Sequence, residues 1–528
     1  MAHKGRPGNA KYWNGGGKRH GNIHADCRAM LLFEWVERFH VDWRFGVGFS
    51  EAWPVVPDGF FSISRLKEWR IGGRFVSMMK RRHFLHAGAA LGLGAAATRL
   101  GLAATTDVGA GMRVGVIGCG WYGKNDAYRL MQVAPVTVTA LCDPDARMLD
   151  EAAGLIAARQ SDARRPAIFA DFREMLAAEP LDLVIVGTPD HWHALPTIAA
   201  IEAGAHVYLQ KPVAVDVPEG EAILAAARRH NRVVQIGTQR RSTPHLIEAR
   251  EKVIDEGLLG TIGHAEIFSY YHMRRRGRPP ITAPPEHLNW DLWCGPAPLV
   301  DYHEGIHPGG WRSYREFGNG MVGDMCIHML DTVRWMLGLG WPRMISSTGG
   351  VFIDPDARAN VPDTQTAMFR FEELTVTWQH RTWGHPTDVN DPWGLVIYGE
   401  KGTLRANVRR YEFTPHGSNE PTHRGEALIE RGMFPHEENE PRMEWHAAPP
   451  TRRHFQDMLA AIGSGGKPVA DIAEGHISSA CCVLANLSLE TGRSIAYDPS
   501  TQSIPGDAES TSLLRRPYRG PWIHPAAS

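Results

Sequence analysis

The hexapeptide Gly118-Cys119-Gly120-Trp121-Tyr122-Gly123 constrains this 528-residue chain more than any other feature, because of what stands on either side of it. Before it, residues 113–117 form a short β-branched run of the kind that makes a strand buried on both faces. After it, residues 121–130 carry a helical pattern, and the next β-branched run, 136–142, ends at Asp143. Glycines in this spacing between strand and helix bring a backbone against a pyrophosphate. Gly118 permits the tight turn, Gly120 lets the main chain approach the phosphates, and Gly123 lets the helix lie close on the strand. Trp121 and Tyr122 open that helix, whose free N–H groups and positive dipole end face the phosphates. Asp143 is placed to accept hydrogen bonds from the adenosine ribose, and its charge repels a 2′-phosphate. The expected cofactor is therefore NAD, while Arg147, four residues on, leaves NADP open.

Strand and helix patterns keep alternating. Apolar runs at 183–187, 206–209 and 232–237 are separated by helical stretches, which argues an open parallel sheet. Ligands bind such sheets at the carboxyl ends of the strands. Thr188, Pro189 and His193 follow the first of these runs, and Gln210 and Lys211 follow the second. His191 and His193 have no matching Cys, Asp or Glu set, so no metal is expected.

A second signature lies in the C-terminal half, at Gly323-Asp324-Met325-Cys326-Ile327-His328-Met329-Leu330-Asp331. The pattern continues to Leu337 as a helix. Asp324, His328 and Asp331, four and three apart, then share one face. A polar stripe on an apolar helix needs partners. It either makes structural hydrogen bonds or lines a site.

The strand and glycine fingerprint, the Thr188-Pro189-x-x-x-His193 element, the x-Lys211-Pro212 strand end and the Asp324-x-x-x-His328 pair resemble the Gfo/Idh/MocA family of sugar and cyclitol oxidoreductases, over roughly residues 112–500. The family usually has Glu-Lys-Pro where this chain has Gln210-Lys211-Pro212. The resemblance implies an N-terminal α/β Rossmann domain with a parallel sheet, 112–240. It also implies a C-terminal α/β domain for substrate and oligomerisation, 241–500, built on a large, mostly antiparallel sheet and assembled as a homodimer or homotetramer. Cofactor contacts are expected from Gly118, Gly120, Trp121, Tyr122, Gly123, Asp143, Thr188, Pro189, His193, Gln210 and Lys211. By the same resemblance Lys211 hydrogen-bonds the reacting oxygen, Asp324 orients the histidine and binds substrate, and His328 is the general acid–base. Such groups suit alcohol oxidation, in which a hydride goes to the nicotinamide and a proton to a base. The expected activity is nicotinamide-dependent oxidation of a CH–OH group on a sugar, sugar derivative or cyclitol. The alternative is an NAD-dependent glycoside hydrolase or lyase that oxidises transiently with no net redox change. A non-catalytic sugar sensor is disfavoured by the presence of Lys211, Asp324 and His328 together.

Elsewhere the signals are weaker. Residues 366–371 and 375–380 alternate as a hairpin, 394–399 reads as a strand, and a last helix runs from 475 to 489 with His476 structural. The aromatic-rich segment 278–310 fits a sugar platform and a core equally well. The basic run 274–278 reads as a solvated loop, with an anion contact or a lid as the other reading. Residues 416–450 read as a polar surface insertion, and 501–528 as a tail with few structural signals. A net charge of −1 gives no global basic field for nucleic acid. Seven scattered cysteines without a CxxC pair suggest folding in a reducing compartment, with no disulfide framework.

Residues 1–77 show no sustained period, so an over-extended start is expected there. Residues 78–107 carry Arg81-Arg82, an apolar stretch at 87–97 and the small pair Ala103-Ala104, as in a twin-arginine export signal. The charge-free stretch between Arg82 and Arg99 is shorter than the roughly 20 residues that span a bilayer, so no stable membrane anchor is expected. Export places the protein in the periplasm, with the cytoplasm as the alternative. Because the periplasm offers no free nicotinamide pool, an exported enzyme would carry its cofactor tightly bound.

Overall fold

The computed structural model describes residues 108–526 apart from His272. The expected export signal at 78–107 and the segment 1–77 lie outside the described residues. Six strands, β1 (Arg113–Ile117), β2 (Thr137–Cys142), β3 (Ala167–Phe169), β4 (Leu183–Val186), β5 (His206–Leu209) and β6 (Val234–Ile236), form a parallel sheet in the order 3-2-1-4-5-6. Both faces are covered. Helices α1 (Trp121–Val133) and α2 (Ala146–Ala157) bury Leu130, Leu149 and Ile156 on one side, while α3 (Phe172–Ala178), α4 (Ala194–Glu202) and α5 (Val217–Arg229) bury Met175, Ile201 and Ile223 on the other. That double coverage is why β4 reads Leu-Val-Ile-Val without alternation, all four residues being fully buried. Asp145, Asp171 and Asp216 cap α2, α3 and α5 by accepting hydrogen bonds from free N–H groups of the first turns. Strand order reverses between β1 and β4, which opens a crevice at their carboxyl ends.

The second sheet starts with β7 (Ile262–Ser269). After helix α6 (Ile327–Leu337) come β8 (Met344–Gly350), β9 (Thr364–Arg370), β10 (Thr375–Arg381), β11 (Trp393–Gly399), β12 (Gly402–Ala406), β13 (Arg410–Pro415) and β14 (His423–Glu426). Their order is 14-13-12-11-7-10-9-8, antiparallel except where β10 runs parallel to β7. The expected hairpin is β9–β10, with Arg370 opposite Thr375. Ala367, Phe369, Val376 and Trp378 point from it into the core, where Leu330 and Val333 of α6 meet them. Helix α7 (Ala448–Ser464) returns to the first sheet, where Phe455 packs on Tyr208. Helix α8 (Ile472–Thr491) begins three residues before the expected start, capped by Asp471, and owes its apolar length to burial of Ala480, Cys481, Cys482 and Leu484.

One expectation is corrected, and three weaker readings gain detail. The segment 416–450 is not a surface insertion throughout. Glu437 and Glu440 are buried against Arg129 of α1, and Arg452 shares Glu437. The tail after 500 is docked: Arg516 donates to Asn319 Oδ1 at 2.8 Å, and Trp522 packs edge-on against Trp192 with centroids 4.8 Å apart. The 278–310 aromatics lean towards a core. Trp290 and Trp293 stack at 4.7 Å within a cluster that holds Tyr314 and Phe317. In the basic run, Arg274 is buried and donates to the Val361 and Ala359 carbonyls, while its neighbours are exposed.

Candidate active site

The cleft at the β1/β4 switch point encloses about 830 Å³ and runs from the glycine turn to Asp324. Each glycine of the turn has its own reason. Gly118 sits at φ +91°, and a Cβ there would lie 2.5 Å from the Thr188 nitrogen. A Cβ on Gly123 would lie 1.9 Å from the Gly118 oxygen, so that position fixes helix-on-strand packing. A Cβ on Gly120 would meet nothing within 4 Å. The space in front of Gly120 is the cradle that a pyrophosphate fills, and the buried Thr188 hydroxyl and Trp121 indole N–H, both without a partner among the described residues, border the same cleft. Gly120→Ala therefore leaves the thermal midpoint unchanged while weakening NAD binding by roughly 10- to 100-fold, the scale of a lost hydrogen bond to a charged group. Calorimetric titration beside a melting curve checks both halves.

Asp143 stands at the end of β2 with one oxygen accepting from Cys119 N at 2.8 Å and the other from Asp145 N at 2.9 Å. Burial lifts its carboxyl to about 6, with those N–H groups opposing the rise. Pro189 and Tyr122 also line the cleft, and the Tyr122 hydroxyl donates to Glu444 at 3.1 Å. His193 does not. It is 1% exposed, its ring reaches the Pro212 carbonyl at 2.6 Å and the Thr188 carbonyl at 3.1 Å, and burial depresses its pKa to about 4. It ties the two strand ends together instead of facing the cleft.

Gln210 explains the departure at the x-Lys-Pro element. Its amide donates to Asp126 Oδ2 of α1 at 2.7 Å, and burial raises Asp126 to about 7. A glutamate at 210 would set a second carboxyl against that one, so one of the two must hold a proton. Gln210→Glu is expected to cost about 1–3 kcal/mol. Carboxyls with raised pKa values lose stability as pH climbs through those values, so the loss deepens above neutrality. Adding Asp126→Asn removes the conflict and restores the melting temperature, and melting curves across pH test this.

Lys211 ends β5 and reaches across to the second domain. Its Nζ lies 2.6 Å from Asp324 Oδ1 and 2.9 Å from the Asp324 carbonyl. Arg312 Nε stands 3.2 Å from the same carboxylate oxygen, its guanidinium over Trp311. Burial pushes Asp324 upwards, but Lys211 and Arg312 override it and hold the carboxyl well below the usual range. The expected regular helix over 323–337 is interrupted, because Val322–Cys326 forms a π-helical turn before α6. That wider turn breaks the even spacing of the stripe. Asp324 faces the cleft. His328 does not line it; the ring lies edge-on to Trp393 with centroids 5.4 Å apart, and its Nδ1 has no partner among the described residues. Burial, with Lys211 and Arg240 nearby, holds His328 far below its ordinary pKa, so it is neutral at neutral pH. Asp331 is structural, gripped by Arg241 through two 2.8 Å contacts and by Ser478. The stripe is thus split between a site and a scaffold.

Two contributors escaped the sequence reading. Asp190, in the turn after β4, lines the cleft beside Lys211; the only signal for it is its place after Thr188-Pro189. Arg312 lies in a short 3-10 turn, Trp311–Ser313, that no local sequence pattern announces. Residues 439–442 also line the cleft, brought there by the Arg129 ion pairs.

Comparison with known proteins agrees with this geometry. Residues 112–238 match the model described as "Oxidoreductase family, NAD-binding Rossmann fold", and residues 247–405 match "GFO/IDH/MocA C-terminal domain", together more than half of the chain. Among curated relatives, Inositol 2-dehydrogenase 4 of Saccharopolyspora erythraea is 27% identical over 232 residues, 43% of this chain and 54% of that protein. A glycosyl hydrolase family 109 protein of Shewanella baltica is 30% identical over 122 residues, 22% of this chain and 26% of that protein. The chain thus spans about half or less of either relative. A levoglucosan dehydrogenase solved with NADH and levoglucosan shares the fold, with a TM-score of 0.53 at 20% identity over 73% of this chain and 99% of that one.

Proposed function

The chain belongs to the Gfo/Idh/MocA family of oxidoreductases and binds NAD, and from that premise we propose that it oxidises a hydroxyl group of a sugar, sugar derivative or cyclitol. The observation that carries the reading is the Lys211–Asp324 pair, which joins the two domains inside the dinucleotide cleft. Bound NAD supplies the hydride acceptor. Lys211 holds the reacting oxygen and stabilises it as it gains negative charge. Asp324, ionised throughout the working range, fixes the lysine and binds substrate. His328, held neutral by burial, accepts the hydroxyl proton by relay, because its ring does not line the cleft. Asp143 holds the adenosine ribose and favours NAD over NADP.

The segment 435–447 supports a retained cofactor. Arg129 anchors it by two buried carboxylates, and residues 439–442 form part of the cleft wall. Retention suits export through the twin-arginine route in folded form. It also supports the second reading, transient oxidation followed by glycosidic cleavage and re-reduction, as does the relative named a family 109 glycosyl hydrolase. NAD-loaded protein mixed with a panel of cyclitols, pyranoses and aryl glycosides separates these. Growth of the reduced-nicotinamide absorbance supports oxidation. Release of the aryl alcohol with no net reduction supports the redox-neutral reaction, and neither event with any compound removes both.

A further inference from the structure

We propose that Asp190 is a specificity-determining carboxyl that hydrogen-bonds the hydroxyl next to the one oxidised, so that the cleft selects vicinal diols. The inference rests on the oxidoreductase reading above and names the substrate class of that site. Three observations carry it. Asp190 is 5% exposed and borders the cleft that also holds Lys211, Arg312 and Asp324. Among the described residues, no backbone or side-chain donor hydrogen-bonds its carboxyl. A buried carboxyl with no protein donor is expensive, and such groups persist where a ligand completes them. Its position is also fixed. The Asp190 carbonyl accepts from His193 N at 3.1 Å, the His191 nitrogen donates to the Phe317 carbonyl at 3.3 Å, and Trp192 is pinned between Trp522 and Phe172. A Cβ on Gly318 would come within 3.1 Å of Asp190 Oδ2. The carboxyl therefore lies close against Gly318.

The charged groups around it are Arg312 from the turn after Trp311, Lys211 from the end of β5, Asp324 from the π-helical turn and Arg516 from the docked tail. Within its own segment, His191 and His193 are both held neutral at neutral pH by burial. Burial raises Asp190 to about 7, with Asp324 adding to the rise and the three cations opposing it. As carboxylate it accepts from a substrate hydroxyl. When protonated it donates to one, so substrate affinity inflects near neutrality.

Lys211 engages the oxygen being oxidised, and Asp190, on the adjacent strand end, takes a second hydroxyl of the same ring. The experiment is a cycle of protein and substrate changes. Wild type, Asp190→Asn and Asp190→Ser, each loaded with NAD, are assayed on the cyclitol or pyranose turned over fastest and on its monodeoxy analogues. For wild type, deleting the neighbouring hydroxyl lowers kcat/KM by about 10- to 100-fold. For Asp190→Ser the same deletion changes little, and the two losses are not additive. Difference infrared titration of the NAD-loaded protein shows carboxylic acid absorbance that disappears near neutral pH; Asp126 supplies part of it, and Asp190→Asn removes the part that belongs to Asp190. Additive losses, or carboxylic acid absorbance undiminished in Asp190→Asn, overturn the proposal. Absence of turnover on every polyol, with the band intact, instead removes the oxidoreductase reading on which it rests.

Discussion

Lys211→Met is expected to lower the rate of hydride transfer by about 100- to 1000-fold while leaving NAD affinity within a few-fold of wild type. The side chain replaced is similar in length and fills the same buried space, so packing is preserved. What vanishes is the ammonium group that lies 2.6 Å from Asp324 Oδ1. The oxygen of an alcohol undergoing oxidation becomes negatively charged before the carbonyl forms, and a cation held in a largely dry cleft stabilises that charge far more than water does. Arg312 remains on the same Asp324 oxygen at 3.2 Å, so the carboxylate keeps one cationic partner and the cleft keeps its shape. With one partner lost, Asp324 binds a proton more readily, and the acid limb of any residual activity moves to higher pH. Stopped-flow single turnovers of NAD-loaded protein measure the rate, and titration calorimetry measures cofactor affinity. An unchanged rate would exclude Lys211 from the chemistry.

The largest expected loss of stability belongs to Asp331→Ala. Asp331 is fully buried, with both carboxylate oxygens bonded to Arg241 and one accepting from Ser478 as well. Its removal leaves the Arg241 guanidinium buried with the Val469 carbonyl at 3.0 Å and the half-exposed Glu474 at 3.5 Å. Breaking one side of a buried ion pair costs about 3–5 kcal/mol, because the remaining charge is uncompensated. Replacing both partners with apolar residues of similar size, Arg241→Met with Asp331→Leu, is expected to recover most of that loss. Chemical denaturation distinguishes the two. Because Asp331 does not line the cleft, molecules of Asp331→Ala that remain folded retain NAD binding.

The contrast between Asp324 and Asp331 also marks how far the sequence reaches. The glycine turn, the parallel order of the first sheet and the β9–β10 hairpin follow from local patterns: a continuous apolar run such as β4 must be buried on both sides, and the alternation of Phe369, Val376 and Trp378 must face a core. Asp324 and Asp331 look alike in sequence. They separate only because a π-helical turn re-aims the first, and because Arg241, ninety positions earlier, claims the second. The setting of His193 is hidden for the same reason, since its ring meets the Thr188 carbonyl after β4 and the Pro212 carbonyl after β5, which only the folded chain brings together. Residues 435–447 look solvated because their acidic groups find Arg129 and Arg452 only in the folded chain. The docked tail is hidden in the same way. Asp216 and Glu219 form a small cluster with His524, but their oxygens already accept from Arg516 N, Tyr518 and the N–H groups of Val215 and Glu219, so the cluster clasps the tail.

The most direct test of the account is to follow a deuterium label. Polyols that are turned over are prepared with deuterium on each secondary carbinol carbon in turn and mixed with NAD-loaded wild-type protein and Lys211→Met. The nucleotide is then released and weighed by mass spectrometry. The account predicts that one labelled carbon delivers its deuterium to the nicotinamide ring in the wild type, with a slowed rate, and that Lys211→Met delivers it far more slowly. Turnover with no deuterium in the released nucleotide, from any labelled carbon, would contradict it.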